Sequence, residues 1–263
     1  MYRRYVALGD SCAEGLDDPY PDGSGYRGWT DLVAAQLAAV TPELRYANLA
    51  VRGRRLDQIL TEQVPLATEL KPDLVTLFGG GNDLLQSRWQ TTAAALDATV
   101  AAMSEVAGTM VLFTLPDIAR LPGLGRLRPR VRQLNDLISA TAAKYGTLLV
   151  DVRVDPWCDD DRLYGPDRLH LGELGHRRVA AHLLTLLGAP TEEEWLAPLP
   201  PATREPRWRV AARHWSWLRH HVYPAVHDTV RNKLIGREPG DGMLPKRPEL
   251  APLRLAQPPL DGR

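Results

Sequence analysis

The stretch YVALGDSCAEG, residues 5–15, runs from four apolar residues straight into Gly9-Asp10-Ser11. A short apolar run closed by turn formers reads as a buried strand that delivers polar side chains at its carboxyl end. From Thr30 to Val40 apolar residues return at helical spacing, so the opening unit is a strand followed by a helix. The same alternation recurs along the chain. Arg45 to Val51 is followed by Leu56 to Leu70, and DLVTLFGGG (73–81) by the alanine-rich Thr91 to Val106. TMVLFTLP (109–116) is followed by Arg130 to Tyr145, and TLLVDV (147–152) by Gly172 to Leu187. Strands apolar on both faces and separated by helices predict an α/β fold. It has three layers, a five-stranded parallel sheet with helices on each side.

The alternation stops near Gly188-Ala189-Pro190. We therefore expect one domain over 1–190 and an appendage over 191–263. Within the appendage, Trp208, Ala212, Trp215, Leu218, Val222, Val226 and Val230 recur every three or four residues. This predicts an amphipathic helix over about 204–237, kinked at Pro224. The tail that follows, PGDGMLPKRPELAPLRLAQPPLDGR, is too rich in proline to be expected to form regular elements.

With 263 residues, 44% of them hydrophobic, the chain can bury a large core. Its 32 basic and 32 acidic residues balance, so no global field favours nucleic acid, and none is expected as a partner. Cys12 and Cys158 are too few for a disulfide scaffold and lack zinc-ligand spacing, which fits a reducing compartment. Neither a signal peptide nor a run of about 18 apolar residues is present in the sequence, so a cytoplasmic protein is expected. No His-Glu-x-x-His or Gly-x-x-x-x-Gly-Lys occurs, and no metal or cofactor is expected.

In an open parallel sheet, ligands meet the carboxyl ends of the strands. The residues there are Ser11 after the first strand, Gly53 after the second, Asn82 after the third, and Asp167 with His170 after the fifth. A serine hydroxyl becomes a nucleophile when a base takes its proton, and histidine is the base suited to neutral pH. His170 is the candidate base. Asp167, three residues earlier, can hold the other ring nitrogen. The amides of Ser11 and Gly53 and the side chain of Asn82 are candidate donors to an oxyanion. Asp10 and Asp83 are expected to organise loops. Trp29 is expected in the core, Cys12 as a small buried side chain, and His176 on the surface of the last helix. The arginines of PDIARLPGLGRLRPR (116–130) border the expected site, either facing an acidic substrate or solvent.

These residues fall into four blocks: Gly9-Asp10-Ser11 with Gly15, Asn48-x-Ala50-x-x-Gly53, Gly80-x-Asn82-Asp83, and Asp167-x-x-His170. In this order the chain resembles the SGNH hydrolase, or GDSL esterase/lipase, family over about residues 4–188. The resemblance implies a flavodoxin-like fold, with Ser11 as nucleophile and oxyanion donor. It further implies His170 as base and then acid, Asp167 as its orienter, and Gly53 and Asn82 completing the oxyanion hole. The implied substrate is a small-molecule or lipid carboxylic ester. The same acyl-enzyme also suits an acyltransferase, and a silent hydrolase fold used as a binding module is the reading from another class. The 204–237 segment reads as a helix docked on the body, a lid, a homo-oligomer contact or, less favoured, a membrane contact.

Overall fold

β1 (Arg4–Gly9) lies inside a six-stranded sheet of order β5-β4-β3-β1-β2-β6, flanked by β3 and β2. The structure is a computed structural model that describes residues 1–85, 89–154, 156–202 and 205–253. In chain order the elements are β1, α1 (Ser11–Glu14), α2 (Gly28–Val40), β2 (Arg45–Asn48), α3 (Leu56–Gln58) and α4 (Val64–Leu70). There follow β3 (Leu74–Phe78), α5 (Trp89–Val106), β4 (Thr109–Phe113), α6 (Arg128–Tyr145), β5 (Leu148–Val150) and α7 (Glu173–Leu186). The chain then forms α8 (Arg207–Trp217), α9 (Tyr223–Leu234) and β6 (Arg247–Ala251). β1 through β5 pair in parallel, with Tyr5 opposite both Tyr46 and Leu74 and Gly9 opposite Phe78. β1 beyond Arg4 and the whole of β3 are buried, which is why both read as unbroken apolar runs. α2 packs on α7, while α5 packs on both α4 and α6, so two helical layers cover the sheet.

The core includes a cluster of Trp29, Phe78 and Phe113, with ring centres 4.7–6.1 Å apart. Trp29 is thus a core residue, as expected. The end of β1 is fixed from two sides. Gly9 has φ +146°, and a Cβ there would come within 2.1 Å of the Phe78 carbonyl oxygen. The Gln63 carboxamide accepts from Gly9 N at 2.9 Å and donates to Gly9 O at 2.8 Å. The backbone direction on leaving the strand is therefore set before Ser11 is reached.

Two π turns, Ile59–Gln63 and Leu218–Val222, each end two residues before a helical proline, Pro65 and Pro224. Proline has no N–H to bond back into the preceding turn, and widening that turn absorbs the lost bond. The predicted 204–237 helix accordingly appears as α8 and α9 joined by a π turn; Arg204 lies outside the described residues.

The structure corrects two expectations. The sheet has six strands, because β6 from the proline-rich tail runs antiparallel to β2, pairing Tyr46 with Ala251 and Asn48 with Arg247. Pro248 is tolerated because β6 is an edge strand, where a missing N–H need not break a ladder. Lys246 anchors this turn of the chain, donating to the carbonyls of Tyr26 and Arg27 and lying 3.0 Å from Asp31 Oδ1. Second, His176 is fully buried on the face of α7 that meets α2. Its Nδ1 accepts from Trp29 N at 3.2 Å and its Nε2 donates to Leu16 O at 2.9 Å.

Burial holds the His176 imidazole down to about 4, so it is neutral in the folded chain. Replacing it with alanine strands one buried N–H and one C=O, and should cost about 2–4 kcal/mol in urea unfolding at pH 7. Because the folded value lies below the usual 6.5, the unfolded chain binds the extra proton as pH falls between them. The stability gap between wild type and His176→Ala should therefore narrow from pH 7 to pH 5. An equal gap at both would contradict a neutral imidazole.

Candidate active site

Ser11 opens α1, the single turn that follows β1, with Asp10 as its N-cap accepting from Cys12 N at 3.1 Å. The short β1–α1 link lifts the hydroxyl to the carboxyl edge of the sheet, where Ser11 remains 8% exposed. His170 arrives from the loop before α7. That loop is closed by Gly165 N donating to His170 O at 2.8 Å and Gly172 N donating to Leu163 O at 2.9 Å. Asp167 folds it from within, since its Oδ1 accepts from the amides of Leu169 and His170 at 2.8 and 2.9 Å.

Asp167 Oδ2 lies 2.5 Å from His170 Nδ1, and His170 Nε2 lies 2.8 Å from Ser11 Oγ. The structure thus brings carboxylate, imidazole and hydroxyl into one line from positions 159 residues apart along the chain. Burial acts to raise the Asp167 carboxyl, but the His170 hydrogen bond and charge outweigh it and hold the group down at about 2. For His170, burial acts to lower the imidazole; the bond and charge of Asp167, with Asp17 and Asp10 beyond, reverse that and raise it.

Gly53 and Asn82 stand on the adjoining loops. Gly53 has φ +80°, a left-handed backbone that favours glycine. Asn82 Nδ2 donates to Arg54 O at 3.0 Å and to Asp10 Oδ2 at 3.3 Å, so its carboxamide ties the Gly53 loop to the Ser11 loop. Asp83 accepts from Leu56 N and Thr92 Oγ1, an organising role as expected. Cys12 is half-buried, and burial pushes its thiol well above the usual range. The arginines of 116–130 are largely engaged with protein groups: Arg120 with Asp161 and Arg168 O, Arg128 with Asp117, Arg130 with Leu84 O.

Three neighbours of the site escaped the sequence reading. Asp17, with φ +65°, packs against Gly165, and its Oδ2 is buried with no hydrogen-bond partner. Burial and the nearby Asp167 push this carboxyl up to about 6. Ligand-type atoms of Asp17, Asp167 and His170 lie within 4.8 Å of one another, yet both ring nitrogens of His170 already face Ser11 and Asp167. Trp217 of α8 donates from Nε1 to Asp167 O at 2.8 Å, and the Arg168 guanidinium lies over its ring. Finally, the strap Glu238–Asp241 crosses the Gly53 loop. Arg54 donates to Pro239 O and pairs with Asp241 at 3.0 Å, Arg55 pairs with Glu238 at 2.6 Å, and a Cβ on Gly53 would meet Pro239 at 2.6 Å. No periodicity could have signalled these contacts. The only hint was an arginine pair beside Gly53 and two acids in the tail.

A three-layer α/β protein with a hydroxyl, an imidazole and a carboxylate aligned at the carboxyl edge of its sheet is the class these features define. A sequence profile of the GDSL-like lipase/acylhydrolase family matches residues 7–178, and the chain belongs to that family. It is a hydrolase of the esterase and acylhydrolase kind. Among solved structures it is similar to LAE5, an alpha/beta hydrolase enzyme from the metagenome of Lake Arreo, Spain, at 25% identity and TM-score 0.56, covering 71% of this chain and 95% of that one. It is also similar to a lipase/acylhydrolase from Enterococcus faecalis, at 24% identity and TM-score 0.58, covering 73% and 99%. A third is a catalytic mutant of Axe2, an acetylxylan esterase from Geobacillus stearothermophilus, at 19% identity and TM-score 0.59, covering 74% and 96%. The latter two likenesses concern the fold. No curated protein sequence matches the chain significantly.

Asp17→Asn removes a negative charge that helps to raise His170. Its imidazole should then titrate at lower pH, as read by NMR of the ring protons, with the acid limb of hydrolysis moving the same way. An unchanged titration would show that Asp17 only packs the loop.

Proposed function

We propose that the protein is a carboxylic ester hydrolase that works through an acyl-enzyme on Ser11. The Asp167–His170–Ser11 line, at 2.5 and 2.8 Å, is the observation that carries this reading. His170 Nε2 takes the Ser11 proton as Oγ attacks the ester carbonyl, and Asp167 holds Nδ1–H and balances the imidazolium that forms. The oxyanion is received by the amides of Ser11 and Gly53 and by Asn82 Nδ2, which exchanges its long contact with Asp10 for the developing charge. His170 then gives its proton to the leaving alcohol. A water molecule, deprotonated by the same ring, releases the acid and restores Ser11.

The family match supports ester hydrolysis in general. Pro239 of the strap lies against Gly53, one of the proposed oxyanion donors, which supports a small to medium acyl group. The two free cysteines support a reducing, cytoplasmic setting.

A fluorophosphonate probe should label wild type and leave Ser11→Ala unmodified. Asn82→Ala should lower kcat on a p-nitrophenyl ester by about 10²–10³. Across p-nitrophenyl acetate to decanoate, the shorter esters should react faster. Failure of wild type to label would sink the acyl-enzyme and leave a silent binding module as the better account.

A further inference from the structure

The amphipathic segment touches the body at few points. In α8 only Trp217, 7% exposed, is buried, and Leu218 and Val222 are half-buried. No residue of α9 is buried. Tyr223, Val226, Val230 and Leu234 repeat at helical spacing on one face of α9, and with Ile235 they line an apolar groove open to solvent; Leu234 is 81% exposed. α8 carries Trp208 and Trp215, 67% and 73% exposed, two turns apart and on the side away from the buried Trp217. The step from Trp215 to Tyr223 is eight residues, and it contains the π turn Leu218–Val222. The extra residue that such a turn takes up keeps Tyr223 in line with the tryptophans. One apolar and aromatic stripe therefore runs along both helices, facing away from the hydrolase body.

Charge decides what covers it. Residues 205–237 hold seven Lys and Arg against Glu205 and Asp228, an excess of five positive charges in a chain whose total is zero. Pairing this face with a second copy about a two-fold axis would bring two such excesses together. An anionic surface relieves them instead. An apolar stripe, exposed tryptophans and flanking cations are the features by which a helix lies in the interface of a bilayer. Among the described residues no helix is long and apolar enough to cross one.

We propose that the outer face of α8 and α9 is a docking surface for anionic lipid bilayers, seated by Trp208, Trp215, Tyr223, Val226, Val230 and Leu234 and held by the arginines around them. The proposal does not depend on the chemistry at Ser11.

The test is sedimentation of the full chain with vesicles of phosphatidylcholine alone and of phosphatidylcholine with one-third phosphatidylglycerol. Binding to the anionic vesicles is expected, at least about tenfold above the neutral ones, and weakening as salt rises from about 0.15 M to about 0.5 M. Tryptophan emission should shift to shorter wavelength on binding. The double variant Val226→Asp/Leu234→Asp should lose at least about tenfold in binding with an unchanged far-UV spectrum. Leu66→Asp, at an exposed apolar position on α4, should bind as wild type. Equal binding to both vesicle types, binding to neither, or retention of binding by the double variant overturns the proposal. So does a dimer by light scattering that the double variant dissolves, which would make the face a self-contact.

Discussion

The closeness of β1 and β3 at Gly9 and Phe78 governs the site. Any side chain at position 9 would run into the Phe78 carbonyl oxygen. Without one, the chain leaves the sheet tightly enough for Asp10 to cap a one-turn helix and for Ser11 to open it. Gln63, reaching across from the end of a π turn, completes the hydrogen bonding of Gly9 and so makes that exit rigid. The nucleophile role proposed for Ser11 requires its hydroxyl to be held in one place, and this strand end holds it there.

Asp167 plays the matching part on the other side of the site. One carboxylate oxygen shapes the loop by taking two amides, and the other orients the imbedded imidazole. Loop geometry and ring geometry are thus set by the same group. The second carboxylate, Asp17, sharpens the contrast: Asp167 is held at about 2 while Asp17 rises to about 6. Two acids this close do not ionise equally, and the one bonded to the imidazole takes the charge first.

The C-terminal segment reaches the site at Trp217 against Asp167 O and at the Glu238–Asp241 strap against Gly53, and it reaches the sheet through β6. Between the first two contacts, α9 leaves its apolar face uncovered. The same stretch of chain therefore borders Asp167 and Gly53 and presents a surface of its own. A helix that buries none of its stripe on its own domain is held there by its ends.

Five strands, their alternation with helices and the identities of Ser11, Gly53, Asn82, Asp167 and His170 as candidates were legible in sequence, because apolar runs and turn residues are local signals and the strand ends of a parallel sheet share one edge. β6 was not legible, since Pro248 argues against a strand until an edge position removes the objection. His176 was misread as a surface residue because its distance from His170 along the chain says nothing about which face of α7 meets α2. Asp17, Trp217 and Pro239 act through long-range packing that no local pattern encodes. By itself the sequence determined which chemical groups reach the carboxyl edge of the sheet. Only the tertiary structure decided their distances, their charges and what lies over them, because those depend on burial and on partners that the fold brings together, Ser11 and His170 from 159 residues apart among them.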